Sequence, residues 1–439
     1  MESKTIAITT LGCKVNQYDS ATIEEALRDK GHRIVDFKTE ADVYIINTCT
    51  VTHKTDYQSR QLIRRAQKRN PGAQIIVTGC YAQVSAEKLK EIPGVNLILG
   101  NREKQSIADF ITGSPVEESG PRVIVSDSEE KTPFKDPPLR TFSKHTRAFL
   151  KIQDGCESFC TYCIVPRARG NCRSLGPQET LERLHTLARQ GFNEVVLTGI
   201  NLGAYGIDLT PTSSLLKVLH LIEREKPLSR IRISSLEPMD ISPELVELIA
   251  SSQIICPHLH LPLQSGDSDI LKRMNRPYNA SDFQKQITMI VSKIPHLCLG
   301  VDVMVGFPGE TETQFDNTCR LLEDLPVSYF HIFPYSKREN TPAASFPDHI
   351  PPETVRIRRD RLTRLNNIKK YNYYSVFLGT TVNVLLEDKR DRESGYLKGL
   401  SRNYIPVLID GPDCLKNCEI EVEIISVEED RVRGRSLTD

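Results

Sequence analysis

Residues 156–163 read Cys-Glu-Ser-Phe-Cys-Thr-Tyr-Cys, a run in which three and then two residues separate the cysteines. Three thiolates on one short loop can bind three irons of a cubic iron–sulfur cluster and leave the fourth iron open to another ligand. A closed structural zinc site would need a fourth protein ligand, and no His or Cys follows at zinc-finger spacing. Because three is an odd number, disulfide pairing does not account for the run. The spacing therefore predicts a four-iron cluster, with a zinc site as the alternative.

Length and composition set outer limits on the fold. A chain of 439 residues is too long for one ordinary core, so two or three domains are expected. No apolar run approaches the ~18 residues that a membrane span needs, and the N-terminus lacks the apolar stretch of a secretory signal. Twelve cysteines without such a signal indicate a reducing compartment, where thiols bind metal rather than cross-link. We expect a cytoplasmic protein without a membrane partner.

Charge is unevenly distributed along the chain. The formal net charge of +0 does not by itself indicate a nucleic-acid partner. Residues 58–69, however, contain five cations and no acid, and residues 356–370 contain seven cations and one acid. Either stretch alone is more typical of a solvated helix face, but the two together favour contact with RNA phosphates.

Strands alternate with helices over residues 1–112, which predicts a doubly wound α/β domain with a parallel sheet. A cysteine follows three of these strands, in the turns Leu-Gly-Cys13-Lys, Asn-Thr-Cys49-Thr and Thr-Gly-Cys80-Tyr. Because ligands bind at the carboxyl ends of parallel strands, we expect the three thiols to converge. Buried core thiols are the alternative, since Cys is among the most buried residue types. The polar and Gly-containing turns favour a second metal site.

Three further segments follow. Residues 113–143 are rich in Pro, Ser, Glu and Lys and are expected to form an extended linker with one strand near 122–125. Residues 144–372 contain six predicted strands separated by helices, which indicates a partial (βα)6 barrel, open on one side to admit a large substrate. Residues 373–439 contain short strands between Gly, Asp and Asn turns, the pattern of a small all-β barrel.

The three-cysteine loop resembles the signature of the radical S-adenosylmethionine (SAM) superfamily. The resemblance implies that Cys156, Cys160 and Cys163 hold a [4Fe-4S] cluster whose open iron binds the methionine group of SAM. One electron from an external reductant would then yield a 5′-deoxyadenosyl radical. It also implies that Tyr162, the aromatic residue of the signature, lies near the adenine of SAM.

Further SAM contacts are expected at the ends of the barrel strands, at Gly199, Asn201, Ser235, Glu237 and Gln264. The superfamily usually has a Gly-Gly-Glu-like segment after its second strand, and this chain has Thr-Gly-Ile-Asn instead. Only backbone contacts are therefore expected from that segment. The three later residues are equally consistent with ordinary turns.

The whole chain resembles the radical SAM methylthiotransferases. Besides the cysteine turns, the resemblance rests on His260-Leu-Pro-Leu-Gln-Ser-Gly-Asp, Asp302-Val-Met-Val-Gly-Phe-Pro-Gly-Glu-Thr and Phe333-Pro-Tyr-Ser-Lys-Arg. The C-terminal part is similar to the TRAM domain, a small RNA-binding barrel. The resemblance implies that Cys13, Cys49 and Cys80 hold an auxiliary [4Fe-4S] cluster that supplies sulfur and is rebuilt from a separate sulfur or repair source. It also implies that two SAM molecules are used per turnover to replace C–H by C–S–CH3.

The family has three branches, which act on isopentenyladenosine in tRNA, on threonylcarbamoyladenosine in tRNA, or on an aspartate of a ribosomal protein. The segments Gly12-Cys-Lys-Val-Asn-Gln-Tyr and Gly399-Leu-Ser-Arg-Asn-Tyr are similar to the threonylcarbamoyladenosine branch. That resemblance implies methylthiolation of C2 of adenosine 37 in the tRNA anticodon stem-loop. The other two branches remain alternatives, and so does a non-enzymatic metal-cluster protein that binds nucleic acid.

Two cations, Lys337 and Arg338, follow the last predicted barrel strand. A guanidinium can hold a carboxylate through two parallel hydrogen bonds, so Arg338 is a candidate for binding the threonylcarbamoyl carboxylate. The alternative is that both residues hold the barrel to the β-domain or contact a phosphate.

Overall fold

A computed structural model describes residues 3–111, 120–128, 130, 132–140, 142, 146–429 and 431–437. Part of the predicted linker, including residues 112–119, therefore lies outside the described residues. A parallel sheet, a split barrel and a closed barrel follow one another along the chain. In the described ranges, no helix has the length and hydropathy needed to cross a membrane.

The N-terminal sheet is parallel throughout. Its strands are β1 (Thr5–Thr10), β2 (Arg33–Val35), β3 (Val43–Thr48), β4 (Gln74–Gly79), β5 (Val95–Leu99) and β6 (Arg122–Ile124). Its helices are α1 (Lys14–Asp29), α2 (His53–Arg69), α3 (Cys80–Val84), α4 (Ala86–Lys90) and α5 (Ile107–Phe110). The strand order is β2-β1-β3-β4-β5-β6, and apolar clusters cover both faces, which confirms the doubly wound prediction. The order reverses between β1 and β3, where such sheets bind ligands.

The edge strand β6 lies within the predicted linker and pairs with β5. Part of that segment therefore belongs to the N-terminal sheet. The domain boundaries themselves stay a prediction.

The central part contains two three-stranded parallel sheets, β7-β10-β11 and β12-β13-β14, connected by a bridge between Ile231 and Ile255. Their strands, with the short antiparallel pair β8 and β9, are β7 (Arg147–Lys151), β8 (Gln153–Asp154), β9 (Arg173–Ser174), β10 (Glu194–Thr198), β11 (Arg230–Ile233), β12 (His258–Gln264), β13 (Cys298–Val305) and β14 (Tyr329–Pro334). The helices are α6 (Val165–Arg169), α7 (Pro177–Arg189), α8 (Leu215–Glu225), α9 (Pro243–Ser251), α10 (Ser268–Arg273), α11 (Ala280–Lys293), α12 (Glu312–Asp324) and α13 (Pro352–Ser375). The six-stranded partial barrel is confirmed.

The C-terminal part is a closed five-stranded barrel in the order β15-β16-β17-β19-β18. Its strands are β15 (Thr381–Arg390), β16 (Leu397–Ser401), β17 (Pro406–Ile409), β18 (Glu419–Glu428) and β19 (Arg431–Ser436). The loop between β16 and β17 enters the amino-terminal end of the central barrel, where the Tyr404 ring stacks on His258 with centroids 4.0 Å apart. Arg232 lies over Tyr404 at 5.1 Å, and its guanidinium donates to two carbonyls of the same loop. The small barrel is therefore docked on the central barrel by buried polar contacts.

Glu194 is fully buried between Arg230 and Arg232. Its carboxylate oxygens lie 2.8 and 2.9 Å from the guanidinium nitrogens of these two residues. Burial alone would raise the pKa of Glu194, but Arg232 and then Arg230 outweigh it and lower the pKa from 4.5 to about 2. Because the folded-state pKa is depressed, the carboxylate stabilises the fold fully above about pH 4.5 and loses this contribution as the pH falls towards 2.

We expect Glu194→Gln to lower the free energy of unfolding at pH 7 by about 3 kcal/mol, the equivalent of two to three pKa units. Urea unfolding of both proteins between pH 3 and 7 measures this difference. The difference in free energy of unfolding between the two proteins should decrease as the pH falls below 4.5, the ordinary pKa of the carboxyl. A difference in free energy of unfolding that is independent of pH would contradict this explanation.

Most of the cationic side chains of helix α13 contact other groups of the protein. Arg358 is buried and pairs with Glu310 at 2.8 Å and Glu312 at 3.0 Å. Arg361 contacts Asp316 at 2.5 Å, and Lys369 donates to two backbone carbonyls. Three acids of α12 and the turn before it thus offset part of the charge excess of residues 356–370, which disfavours an RNA contact along the whole stretch.

Candidate active site

Cys13, Cys49 and Cys80 follow the adjacent strands β1, β3 and β4, as predicted. Glycines let their turns approach one another closely. A Cβ on Gly12 would lie 2.9 Å from the Cys49 sulfur, and a Cβ on Gly79 would lie 2.4 Å from a backbone oxygen of the turn before Cys49. Both glycines have positive φ, at +99° and +95°, so side chains are excluded there by conformation as well as by space.

The three thiols are close enough to influence one another. Burial raises the pKa of Cys49 to about 11, and the neighbouring Cys80 and Cys13 contribute in the same direction. Helix α1 begins directly after Cys13 and α3 begins at Cys80. Metal binding requires thiolates, and iron would offset the repulsion between them. This set of three sulfur donors fits three irons of a [4Fe-4S] cluster.

Backbone hydrogen bonds hold the second cysteine loop, residues 156–163, at the carboxyl end of the barrel. The Cys156 amide donates to the Gly170 carbonyl at 3.0 Å, and the Thr161 amide donates to the Met274 carbonyl at 3.0 Å. Burial raises the pKa of the Cys163 thiol to about 12, and the neighbouring Cys160 and Cys156 contribute. The loop therefore presents three grouped sulfur donors, which also fit a [4Fe-4S] cluster.

Arg276 supplies a positive charge to this loop, and sequence reasoning missed it. Its Nη1 donates to the Cys160 sulfur at 3.2 Å, and the same guanidinium forms an ion pair with Glu237 and lies 5.0 Å from the Tyr278 ring centroid. A buried cation beside a cluster ligand stabilises the electron-rich state of the site. Glu237, predicted to bind SAM, is thus joined to the cysteine loop through Arg276.

A buried ionic network connects the two cysteine sites. Asp19 contacts Lys104, Lys151 and Arg169, and Asp154 contacts Lys151 at 3.3 Å and Arg169 at 2.9 Å. Burial would raise the pKa of Asp154, but Arg169 and then Lys151 outweigh it and hold that pKa well below its usual range. The Asp154 carboxyl is therefore ionised at neutral pH.

The position of this network explains its role. Asn16, in the first turn after Cys13, accepts a hydrogen bond from Arg169 at 2.5 Å. Asp154 lies two residues before Cys156. Arg169 thus contacts the segments that carry both sets of thiols, and the network fixes the distance between them.

We expect Lys151→Met to lower the free energy of unfolding by about 3–5 kcal/mol, because it removes a buried cation that Asp19, Asp136 and Asp154 share. Urea unfolding at pH 7 measures this loss. Lys285 is exposed on α11 and is the matched control, since Lys285→Met should change stability by at most about 0.5 kcal/mol. Equal stability of the two variants would show that the network is not a stabilising element.

Gln153 organises the segment after β10, where Gly199 and Asn201 were predicted to contact SAM. Its side-chain oxygen accepts from the amides of Ile200 at 2.9 Å and Asn201 at 2.8 Å. A Cβ on Gly199 would lie 2.9 Å from that oxygen, so the position favours glycine. The predicted residues Ser235, Glu237 and Gln264 lie at or just beyond the ends of the neighbouring strands, and their contacts with SAM stay predictions.

A cavity of about 230 Å³, here called the loop cavity, lies beside the second cysteine loop. It is lined by Val51, Thr52, Tyr162, Cys163, Gln264 and Asp302, among others. Val51 and Thr52 come from the turn after Cys49, so the cavity lies between the segments that carry the two cysteine sites. Two of the predicted SAM-binding residues, Tyr162 and Gln264, line this cavity.

Asp302 provides a carboxylate in the loop cavity. Burial would raise the pKa of Asp302, but hydrogen bonds from His260 and His331 outweigh it and lower the pKa to about 2. The contact between His260 Nε2 and Asp302 Oδ1 is 2.8 Å. Asp302 is therefore a hydrogen-bond acceptor at neutral pH, suited to an amino group of a ligand.

Arg338 is buried between the N-terminal domain and the barrel. Its Nη2 donates to Asp56 at 2.6 Å and to the Thr50 hydroxyl at 2.7 Å. This geometry favours the interdomain alternative over a free carboxylate-binding residue, although the partner is the N-terminal sheet domain rather than the predicted β-domain. Sequence spacing gave no signal of this pairing.

Two protein families match the chain. Residues 5–100 match a family described as Uncharacterized protein family UPF0004, and residues 150–322 match the Radical SAM superfamily. Threonylcarbamoyladenosine tRNA methylthiotransferase MtaB of Bacillus subtilis is 38% identical over 423 residues, which cover 96% of this chain and 94% of that protein. The chain belongs to the radical SAM methylthiotransferases. Membership implies SAM and a [4Fe-4S] cluster as cofactors, and the loop of residues 156–163 fits that cluster.

Two further proteins are similar to this chain. The tRNA-2-methylthio-N(6)-dimethylallyladenosine synthase of Pelotomaculum thermopropionicum is 33% identical, over 96% of this chain and 95% of that protein. The solved structure of TsrM from Kitasatospora setae, a radical SAM methyltransferase, has a TM-score of 0.56 at 15% identity and covers 78% of this chain and 77% of that chain. At that identity the likeness concerns the fold alone.

Proposed function

We propose that this protein methylthiolates C2 of N6-threonylcarbamoyladenosine at position 37 of tRNA. One observation carries the proposal: the loop cavity is lined by Cys163 of one group of three thiols and by Val51 and Thr52, which follow Cys49 of the other group. Replacement of an unactivated C–H by C–S–CH3 needs a radical source and a sulfur source at the same carbon. A cavity between the two cysteine-bearing segments suits that requirement.

Cys156, Cys160 and Cys163 hold the radical cluster, which together with SAM supplies a 5′-deoxyadenosyl radical when bound. Tyr162 and Gln264 contact SAM in the loop cavity. Backbone groups of Gly199 and Asn201, kept in place by Gln153, contribute further contacts, as do Ser235 and Glu237.

Cys13, Cys49 and Cys80 hold a second [4Fe-4S] cluster, which supplies the sulfur when bound. Two SAM molecules are then used per turnover, because one methyl group and one radical are both required. An external one-electron reductant and a source of sulfur or cluster repair complete the requirements. We place this reaction in the cytoplasm.

The threonylcarbamoyl branch is favoured by sequence identity. The relative named for threonylcarbamoyladenosine reaches 38%, whereas the relative named for dimethylallyladenosine reaches 33% over an equal share of the chain. The substrate nucleotide lies in the anticodon stem-loop, and the small C-terminal barrel, docked through Tyr404, serves as a fixed RNA-binding platform.

Nucleoside analysis tests the proposal directly. tRNA that carries threonylcarbamoyladenosine, incubated without oxygen with the reconstituted enzyme, SAM and a reductant, should yield the 2-methylthio nucleoside. tRNA with isopentenyladenosine at the same position is the matched control. Product on the control alone would assign the other tRNA branch. A colourless protein that consumes no SAM would indicate a non-enzymatic metal-binding protein instead.

A further inference from the structure

A second and larger cavity, of about 570 Å³, lies between the N-terminal domain and the barrel. We call it the interdomain cavity. Its walls come from α2, α3, the segment after β6, the start of α6 and the residues after β14. Ile164, the residue after Cys163, lines both this cavity and the loop cavity. The two cavities are therefore neighbours on either side of the cysteine loop.

Two acids of the interdomain cavity are already paired with cations. Asp56 pairs with Arg338 at 2.6 Å, and Glu339 pairs with Lys88 at 2.6 Å. A third acid, Asp127, makes a contact of its own. The first two acids therefore balance Arg338 and Lys88, and Arg60 and Arg167 are the other cations of the lining.

Two guanidinium groups of the interdomain cavity have no carboxylate partner among the residues that the structure describes. Arg60 donates through Nη1 to the Tyr81 hydroxyl at 2.9 Å and forms no ion pair within the described ranges. The Arg167 side chain is exposed and has neither an ion pair nor a hydrogen bond to any described residue. A cavity with two unpaired guanidinium groups suits an oxyanion.

Helix α2 adds positive charge to the interdomain cavity. Its first turn, with His53 and Asp56, borders the cavity, so the positive end of the helix dipole faces it. Further along the exposed face of α2 lie Arg64, Arg65 and Lys68, which have no acidic partner in the part of the chain that the structure describes. Positive charge thus extends from the open surface to the cavity, in contrast to α13, whose cations are mostly paired.

We propose that the interdomain cavity binds an oxyanion of the tRNA beside the reacting nucleotide, with Arg60 and Arg167 as its ligands. This inference rests on the proposed function. A volume of about 570 Å³ is within the range of small-ligand pockets and accommodates part of a nucleotide. Arg binds phosphate and carboxylate in the same bidentate manner, so the oxyanion is either a backbone phosphate next to nucleotide 37 or the threonylcarbamoyl carboxylate.

Binding of anticodon stem-loop RNA to the reconstituted enzyme tests the inference. Arg167→Ala is the primary variant, because its side chain is exposed and has no partner among the described residues whose loss would disturb the fold. Charge-assisted hydrogen bonds make us expect roughly tenfold weaker binding or more. If the oxyanion is a backbone phosphate, the slope of log affinity against log salt should fall by roughly 0.7 per contact with single-stranded RNA. Arg167→Lys should retain the slope, and Arg60→Ala should repeat the loss.

Two RNAs identify the source of the oxyanion. If the Arg→Ala variants lose affinity equally for threonylcarbamoylated and unmodified stem-loops, the oxyanion is a phosphate. If they lose affinity only for the modified stem-loop, the oxyanion is the carboxylate. Lys285→Ala, on the outside of the barrel, controls for the removal of one charge. Variants that bind both RNAs like this control would overturn the inference. In that case the proposed function would still stand if the wild-type enzyme methylthiolates tRNA. A wild-type enzyme that does not modify tRNA would instead refute the proposed function.

Discussion

We expect alanine at Cys156, Cys160 or Cys163 to abolish cleavage of SAM to 5′-deoxyadenosine. Each of these thiols accounts for one corner of the radical cluster, and residues 156–163 contain no fourth cysteine. The amides of Cys156 and Thr161 are tied to Gly170 and Met274, so the backbone cannot move a substitute into position without breaking these bonds. Chromatography of 5′-deoxyadenosine, formed without oxygen in the presence of dithionite, measures the loss.

Cys418→Ala is the matched control for these variants. Cys418 is exposed on the C-terminal barrel, so its loss should leave SAM cleavage and iron content unchanged. The three loop variants should retain about four irons of about eight, because the other cysteine site is untouched. Normal formation of 5′-deoxyadenosine by any loop variant would refute the assignment.

The parts of the site that sequence predicted are those governed by local rules. Apolar strands followed by turns indicated β1, β3 and β4, and the carboxyl-end rule for parallel strands then placed Cys13, Cys49 and Cys80 together. The spacing of the second cysteine loop, likewise, lies within eight residues. These predictions needed no knowledge of which distant segments meet.

The parts that sequence missed depend on long-range pairing. Asp19 and Lys151 are 132 residues apart in sequence, and Arg338 and Asp56 are 282 apart. No periodicity or spacing relates such pairs. The same limit applies to α13: seven cations in residues 356–370 indicated an RNA-binding face, and the sequence did not show that acids from Glu310 to Asp316 pair with two of them, Arg358 and Arg361. RNA contact by the other cations stays a prediction.

The triple replacement of Cys13, Cys49 and Cys80 by Ala distinguishes SAM cleavage from methylthiolation. We expect SAM cleavage to continue, because the second cysteine loop is held by backbone bonds and by Arg276, neither of which involves the N-terminal thiols. Methylthiolated nucleoside should fall below detection, because no thiol remains to hold the sulfur-donating cluster. Mass spectrometry of digested tRNA measures the product, and iron should fall from about eight to about four per chain.

The ionic network makes this result interpretable. Asp19, Asp154 and Arg169 keep the domains together without help from the thiols, so loss of product in the triple variant would not follow from domain separation. Far-UV circular dichroism and urea unfolding of the triple variant check this point, with Lys151→Met as the variant in which the network itself is broken. Methylthiolated product at the wild-type level in the triple variant would show that the sulfur comes from elsewhere, and the N-terminal cysteines would then lose their assigned role.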